Sequence, residues 1–218
     1  MTAVKICGLT DPHMVRVAAE AGADWVGFVL YEKSPRNVLG PGDDLEAYTD
    51  LVNFAFELGV ESVALMVDPT ERMVDKVLTT AVPNAIQLHG KETPEYVRRI
   101  WQMTFQTCEV WKAAGISNEN ELEALQAFEV DRFLIDAKPA EGADLPGGNG
   151  EVGDWSVLEG FDPGVPWLLA GGLTPNNVAE AITATGAHAV DVSSGIERAR
   201  GVKDEDLIRD FIDAAKTA

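Results

Sequence analysis

The chain has 218 residues, of which 46% are hydrophobic and 24% are charged, values typical of a globular protein with a substantial core. Acidic residues outnumber basic ones by 36 to 17, which gives a formal net charge of −19. This argues against nucleic acid as a partner, because binding a phosphate backbone needs a basic face. No apolar stretch approaches the roughly 20 residues needed to cross a bilayer, so no membrane partner is expected.

The acidic residues are spread along the predicted helices and loops, which is typical of a solvated surface. A sharper interpretation is adaptation to high salt, which screens self-repulsion. The N-terminus lacks the basic-then-apolar pattern of a secretion signal, so we expect a cytoplasmic protein. In that compartment Cys7 and Cys108 are not expected to form a disulfide, and Cys108 is predicted to be a small core residue.

Short apolar segments rich in Val, Ile and Leu recur along the chain, as expected for strands that are buried on both faces. They lie at residues 4–7, 25–30, 62–67, 85–88, 108–112, 132–135, 166–170 and 189–192. Helical patterns fill the intervals, and several begin with a capping residue followed by proline. The predicted helices lie at residues 12–22, 43–58, 70–80, 94–103, 117–128, 154–160, 176–185 and 204–217.

This alternation predicts an α/β protein with eight βα units. Eight units favour closure into a single-domain (β/α)8 TIM barrel over residues 1–218. An open doubly wound sheet is the alternative, but no Gly-x-Gly-x-x-Gly follows the first strand. One long loop, residues 139–153, is glycine-rich and acidic, and long loops in compact domains are often functional.

Active sites of such barrels lie at the carboxyl ends of the strands, and Cys7 ends the first one. Its thiol is a candidate nucleophile or general base. Alternate strand residues share a face, so Lys5 should face inward with Cys7 and could lower the pKa of the thiol, unless it forms a salt bridge deeper in the barrel. Asp136 ends the sixth strand and could approach a ligand from another side, or it could pair with Lys138.

Other strand ends also carry polar residues. Gln87 shares a face with His89, and Asp191 shares a face with Ser193. We interpret His89 as a site residue and the other two histidines as structural. No two histidines have the spacing of metal ligands, so no metal is predicted.

Glycine-containing segments follow the seventh and eighth strands, at Gly171-Gly172 and Ser193-Ser194-Gly195. Glycine permits close backbone approach, and exposed N–H groups bind anions without a cation, which suits an acidic protein. The loops after strands seven and eight often bind phosphate in this fold. The alternative is that these glycines only make tight turns.

Seven motifs together carry a resemblance to one family. In their order and combination they closely resemble the phosphoribosylanthranilate isomerase family, and they cover nearly the whole chain. The motifs are Lys5-Ile6-Cys7-Gly8-Leu9-Thr10, Gly27-Phe28-Val29, Ser34-Pro35-Arg36, Gln87-Leu88-His89-Gly90, Leu134-Ile135-Asp136, Gly171-Gly172-Leu173 and Asp191-Val192-Ser193-Ser194-Gly195.

The resemblance implies an Amadori rearrangement in tryptophan biosynthesis that needs no cofactor. N-(5-phosphoribosyl)anthranilate becomes 1-(2-carboxyphenylamino)-1-deoxyribulose 5-phosphate. By the same resemblance, Asp136 is the general acid that opens the ribose ring and Cys7 is the general base that removes the C2′ proton. Arg36 then faces the anthranilate carboxylate, and Asp191 lies near the substrate amine or ribose hydroxyls.

The resemblance also assigns Gln87 and His89 to the mouth of the barrel. The loop after Asp136 is longer and more acidic than is usual for the family but keeps its glycine-rich character, so Gly148 and Gly150 are further candidates for phosphate binding. Two other functions stay open at this point: another enzyme acting on a phosphosugar, and a non-catalytic barrel that binds one. The partner is in each case a small phosphosugar, and the protein is a monomer or a homodimer.

Overall fold

The computed structural model describes residues 1–116, 118–137, 155–158 and 160–218. The described residues contain a closed barrel of eight parallel strands, each hydrogen-bonded to its neighbours in sequence. The predicted TIM barrel is therefore confirmed. The strands are β1 (Ala3–Cys7), β2 (Trp25–Leu30), β3 (Glu61–Met66), β4 (Ala85–Leu88), β5 (Glu109–Ile116), β6 (Arg132–Ala137), β7 (Trp167–Ala170) and β8 (Ala189–Val192).

Helices connect the strands and pack on the outside of the barrel. They are α1 (Pro12–Ala21), α2 (Glu46–Leu58), α3 (Glu71–Thr80), α4 (Pro94–Met103), α5 (Glu119–Ala124), α6 (Val178–Thr185) and α7 (Glu205–Thr217). The described residues also form 3₁₀ turns at Leu125–Ala127, Trp155–Leu158 and Ser194–Ile196, and a small hairpin of β9 (Glu197–Ala199) and β10 (Val202–Lys203) follows the eighth strand. Among the described residues, no helix is long and apolar enough to cross a membrane.

Some predicted boundaries are wrong for physical reasons. The fifth strand does not end at Lys112 but continues to Ile116, because its last residues pair with β6. The second helix begins at Glu46 rather than at residue 43, because Asp43 has a φ of 60° and cannot join a right-handed helix. In place of the short helix predicted at 154–160, the described residues form the 3₁₀ turn at Trp155–Leu158.

The two faces of each strand belong to different apolar clusters. Outward residues such as Val4 and Ile6 pack against the helices. Inward residues form a separate layer, in which Trp25 and Trp111 meet edge to face with 5.5 Å between ring centroids. The Arg132 guanidinium lies over both rings, at 5.3 and 5.7 Å. Toward the carboxyl ends of the strands some inward positions are polar, as at Gln87 in β4 and Asp136 in β6.

Candidate active site

A buried polar cluster lies at the carboxyl end of β1. Lys5 and Cys7 are both buried and face the interior, as strand parity predicted. Lys5 Nζ lies 2.6 Å from Asp191 Oδ1, and the two residues are register partners in β1 and β8. A Cβ atom on Gly27 would lie 2.9 Å from Cys7 Sγ and 3.2 Å from Lys5 Nζ. The thiol and the ammonium therefore lie side by side against a residue that must lack a side chain.

The electrostatics of this cluster refine the expectation for Lys5. Burial raises the pKa of the Cys7 thiol above its ordinary value, and the nearby Lys5 ammonium offsets only part of that rise. Burial by itself would lower the pKa of Lys5, but Asp191 and Cys7 together outweigh it and raise that pKa. Lys5 therefore stays cationic and serves both predicted purposes, the salt bridge and the contact with the thiol. Lys5 thus acts on the thiol pKa in the expected direction, although burial outweighs its effect.

Asp136 lies on the inward face of β6, between Gly115 of β5 and Ala170 of β7. Two residues earlier on that face, Leu134 belongs to the inner apolar layer, so Asp136 lies one step closer to the mouth. Its side chain is half-buried. β6 and β1 are three strands apart by the shorter route around the barrel, so the carboxyl and the thiol approach the mouth from different sides. The alternative partner, Lys138, lies outside the described residues.

Gln87 and His89 are brought together at the carboxyl end of β4. Gln87 Nε2 lies 2.8 Å from His89 Nδ1. An amide nitrogen only donates, so Nδ1 is the acceptor and the neutral ring carries its proton on Nε2. Burial lowers the pKa of His89 to about 4. His89 is thus an uncharged N–H donor at neutral pH rather than a group that exchanges protons there.

Arg36 is held by an acid that the motifs did not single out. Its Nε and Nη2 donate to Glu197 Oε1 and Oε2 at 2.5 and 2.9 Å. A Cβ atom on Gly8 would collide with the Arg36 side chain, which therefore lies directly across the backbone that follows β1. Lys203 Nζ lies 2.9 Å from Glu197 Oε1 and 2.8 Å from the carbonyl oxygen of Ser193.

Glu197 and Lys203 are the residues of this region that sequence reasoning missed. A signal for Glu197 existed, since it lies two residues after the Ser193-Ser194-Gly195 motif. Lys203 lies in a strand of two residues and has no comparable local signal.

The loop after β8 packs directly on the loop after β7. A Cβ atom on Gly195 would overlap the carbonyl oxygen of Leu173, so only glycine fits at this contact. Among the described residues, the backbone N–H groups of Ser194 and Gly195 make no backbone hydrogen bond outside their own 3₁₀ turn. The two predicted loops therefore meet, and amide donors are available where they do.

The loop after β7 is fixed by its own side chains. Gly171 and Gly172 have φ values of 90° and 62°, in the left-handed region that favours glycine. Asn177 Oδ1 accepts from the Thr174 N–H at 2.7 Å, and Asn177 Nδ2 donates to the Gly172 carbonyl at 3.0 Å. The other two phosphate candidates, at positions 148 and 150, lie outside the described residues.

Lys112 does not belong to the barrel mouth, although the sequence pattern placed it at the end of its strand. Its Nζ lies 3.0 Å from Glu92 Oε2 and donates to the carbonyls of Leu88 and Gly90 at 3.3 and 2.9 Å. Both charged side chains of this ion pair are almost fully buried. Lys112 therefore anchors the loop after β4 from outside the interior.

No group of three or more His, Cys, Asp or Glu side chains in the described part of the chain could hold a metal ion. Cys108 is buried and unbridged, as expected of a small core residue. The ionisable groups that do meet at the mouth come from β1, β4, β6 and β8. Ionisable groups at the carboxyl ends of several strands of one closed barrel are typical of a TIM-barrel enzyme.

Comparisons with known proteins give the particular family. The sequence model of the N-(5'-phosphoribosyl)anthranilate (PRA) isomerase family matches residues 4–214 of this chain. The N-(5'-phosphoribosyl)anthranilate isomerase of Hyphomonas neptunium is 47% identical over 100% of this chain and 99% of its own length. The chain belongs to the N-(5'-phosphoribosyl)anthranilate isomerase family, as its motifs indicated.

Solved structures agree with this assignment. The phosphoribosyl anthranilate isomerase of Thermotoga maritima is 35% identical with a TM-score of 0.83, and the match covers 100% of both chains. A second structure shows a phosphoribosyl anthranilate isomerase in complex with reduced 1-(o-carboxyphenylamino)-1-deoxyribulose 5-phosphate. It is 34% identical with a TM-score of 0.80, again over 100% of both chains.

Proposed function

We propose that this chain converts N-(5-phosphoribosyl)anthranilate into 1-(2-carboxyphenylamino)-1-deoxyribulose 5-phosphate, the isomerisation of tryptophan biosynthesis. Family membership supports the reaction, and the relative solved with a reduced carboxyphenylamino-deoxyribulose phosphate supports the substrate. The observation that carries the roles is the inward placement of Cys7 on β1 and Asp136 on β6. The reaction removes a proton at one atom of the ribose and adds one at another, which an acid and a base on different sides can do.

Asp136 acts first, as the general acid. Its half-buried carboxyl lies at the mouth, where it protonates the ribose ring oxygen. The C1′–O bond then breaks, and the nitrogen lone pair forms a Schiff base with C1′. The opened sugar carries a hydroxyl in place of the ring ether, and the nitrogen carries the positive charge.

Cys7 acts second, as the general base. Its thiolate removes the proton from C2′, and the electron pair of that bond moves into the iminium to give an enolamine, which tautomerises to the ketone. The iminium is the electron sink, so this chemistry needs no cofactor. Burial raises the pKa of the thiol, but the cationic iminium joins Lys5 in favouring the thiolate when the substrate is bound.

Other groups bind the substrate. The Arg36 guanidinium suits the planar anthranilate carboxylate, and the Nε2–H of His89 and the carboxylate of Asp191 suit the amine or ribose hydroxyls. For the phosphate we propose the loops after β7 and β8, whose backbone N–H groups near Gly172 and Gly195 would bind the anion. The roles of Gly148 and Gly150, the cytoplasmic location and the choice between monomer and homodimer stay predictions.

The test follows the fluorescence of the anthranilate substrate during turnover by the wild type, Cys7→Ala and Asp136→Asn. Both variants are expected to lose kcat by at least about a hundredfold, the usual contribution of a general acid or base. They should still bind the reduced product analogue, because neither change removes a phosphate or carboxylate contact. Near-normal kcat in both would overturn the roles, and binding without turnover by the wild type would favour the non-catalytic barrel.

A further inference from the structure

The Glu197 carboxylate is anchored more firmly than a simple ion pair requires. It accepts two hydrogen bonds from Arg36, one from the Gly201 N–H at 2.9 Å and one from Lys203 Nζ at 2.9 Å. Its side chain is 4% exposed. Burial alone would raise the pKa of Glu197, but Arg36, Lys203 and Gly201 outweigh it and lower that pKa to about 2. Glu197 is therefore a fixed anion across the physiological range.

Glu197 occupies one hydrogen-bonding edge of the Arg36 guanidinium and leaves the other edge to bind a second anion. A guanidinium can fork to a carboxylate through its Nε and Nη2 edge or through its Nη1 and Nη2 edge. Glu197 takes the first edge. Within the described residues no acceptor lies on Nη1. The second edge thus keeps the geometry needed for another planar carboxylate.

The aliphatic part of Arg36 is fixed as well. A Cβ atom on Gly8, the first residue after β1, would lie 2.5 Å from the Arg36 Cδ, so the stem of Arg36 packs tightly on this backbone. The side chain is thus held by backbone packing along its stem and by a fork at its head. A cation that is already fixed loses little conformational freedom when its anion binds, which improves affinity.

From these contacts we propose that Glu197 is the positioning residue for substrate recognition: it holds Arg36 so that the Nη1 and Nη2 edge receives the anthranilate carboxylate. This inference deepens the proposed function and rests on it. Glu197 acts through Arg36 and contacts no reacting atom, so its contribution is to the affinity for the aryl carboxylate rather than to the proton transfers.

Glu197 is also connected to the candidate phosphate loop after β8. It follows the loop after β8, and Lys203 links it to the Ser193 carbonyl at 2.8 Å. A purely structural role in this loop would therefore affect the phosphate end of the site as much as the carboxylate end. That difference separates the two interpretations experimentally.

The experiment measures Glu197→Gln against two competitive inhibitors, each carrying half of the substrate. Anthranilate has the carboxylate without the phosphate, and ribose 5-phosphate has the phosphate without the carboxylate. We expect KM for the substrate and Ki for anthranilate to rise by roughly ten- to a hundredfold, with kcat and Ki for ribose 5-phosphate little changed. Equal weakening of both inhibitors, or no change in KM, would overturn the proposal.

A matched control and a second variant complete the experiment. Arg98 and Glu129 form an exposed fork of the same atoms, with Nε and Nη2 at 3.1 and 3.0 Å from the carboxylate, so Glu129→Gln makes the same change away from the site. It should leave both Ki values unchanged. If Glu197→Gln does not fold, Glu197→Asp keeps the charge that buried Lys203 needs but is one methylene too short for the Arg36 fork, and the same selective loss is expected.

Arg36→Ala provides the coupling test. If Glu197 acts through Arg36, the double variant Arg36→Ala with Glu197→Gln should raise the anthranilate Ki no more than Arg36→Ala alone. Additive losses would contradict the proposal. Failure of the proposed function looks different: the wild type would then lack turnover, while the binding of anthranilate and its dependence on Glu197 could still be measured directly by calorimetry.

Discussion

Lys5 Nζ lies 2.6 Å from Asp191 Oδ1, across the pairing of β1 with β8, and the same ammonium lies beside the Cys7 thiol. One buried cation thus balances a carboxylate permanently and a thiolate when it forms. Without the cation, forming a thiolate would place two negative charges in one buried cluster. The base of the proposed reaction therefore depends on a neighbouring cation that is itself fully buried.

Lys5→Met should move the acidic limb of the pH profile of kcat/KM to higher pH. A base works deprotonated, so losing a neighbouring cation raises the pKa of the Cys7 thiol and lowers the rate at pH 7, by roughly ten- to a hundredfold. The alkylation rate of Cys7 by iodoacetamide should shift in the same direction. Lys5→Arg keeps the charge and is the control. An unshifted profile in a folded Lys5→Met protein would mean that Lys5 serves only the salt bridge.

The sequence alone predicts which residues of this site share one face of a strand. A strand repeats every two residues, so the spacing of Lys5 and Cys7 is enough to place them on one face. The partners of these residues depend on which strands meet and in what register, and that is why the bond from Lys5 to Asp191 follows only from the closed barrel. The fork between Arg36 and Glu197 joins residues 161 positions apart, so no local pattern could predict it.

Gly195→Ala should weaken phosphate binding. The new Cβ would overlap the Leu173 carbonyl, so the two candidate phosphate loops must separate. We expect KM for the substrate and Ki for ribose 5-phosphate to rise together by at least about tenfold, the scale of small misplacements in a site. Gly59→Ala, at the end of α2 with open space around it, is the control for adding a methyl group and should cost about 1 kcal/mol of stability without changing KM. Normal ribose 5-phosphate affinity in Gly195→Ala would place the phosphate elsewhere.

Lys112→Met tests whether this lysine is structural. It leaves the Glu92 carboxylate buried without its cation, so the free energy of unfolding should fall by about 3–5 kcal/mol in urea titrations. The kcat of the folded fraction should stay near normal, because Lys112 does not face the interior. Arg98→Met removes one partner of an exposed pair and should change stability by less than about 1 kcal/mol. A large loss of kcat with unchanged stability would show that Lys112 belongs to the active site.

The net charge of −19 predicts that salt stabilises the fold. Repulsion among surface carboxylates is greater in the compact state, and counter-ions screen it. The melting temperature should rise between 0.05 and 1 M NaCl, by about 2–4 °C for each kcal/mol gained. Replacing the exposed acids Asp50 and Glu57 by their amides should reduce this dependence. A protein fully stable and active in dilute buffer, with no gain from molar salt, would exclude salt adaptation.

His13 should titrate at a higher pH than His89 when their ring protons are followed by NMR. The hydrogen bond and charge of Glu205 raise the pKa of exposed His13, whereas burial lowers the pKa of His89 to about 4. Because the His89 pKa is lower in the folded than in the unfolded chain, where it is near 6.5, the unfolded chain takes up this proton first as the pH falls. The stability due to neutral His89 is therefore complete above about pH 6.5 and is lost progressively toward pH 4. His89→Gln removes this contribution, so its stability should fall less steeply over that range. A His89 midpoint near 6.5 would show that the imidazole is hydrated and available as a proton carrier, and its proposed role as a neutral donor would be wrong.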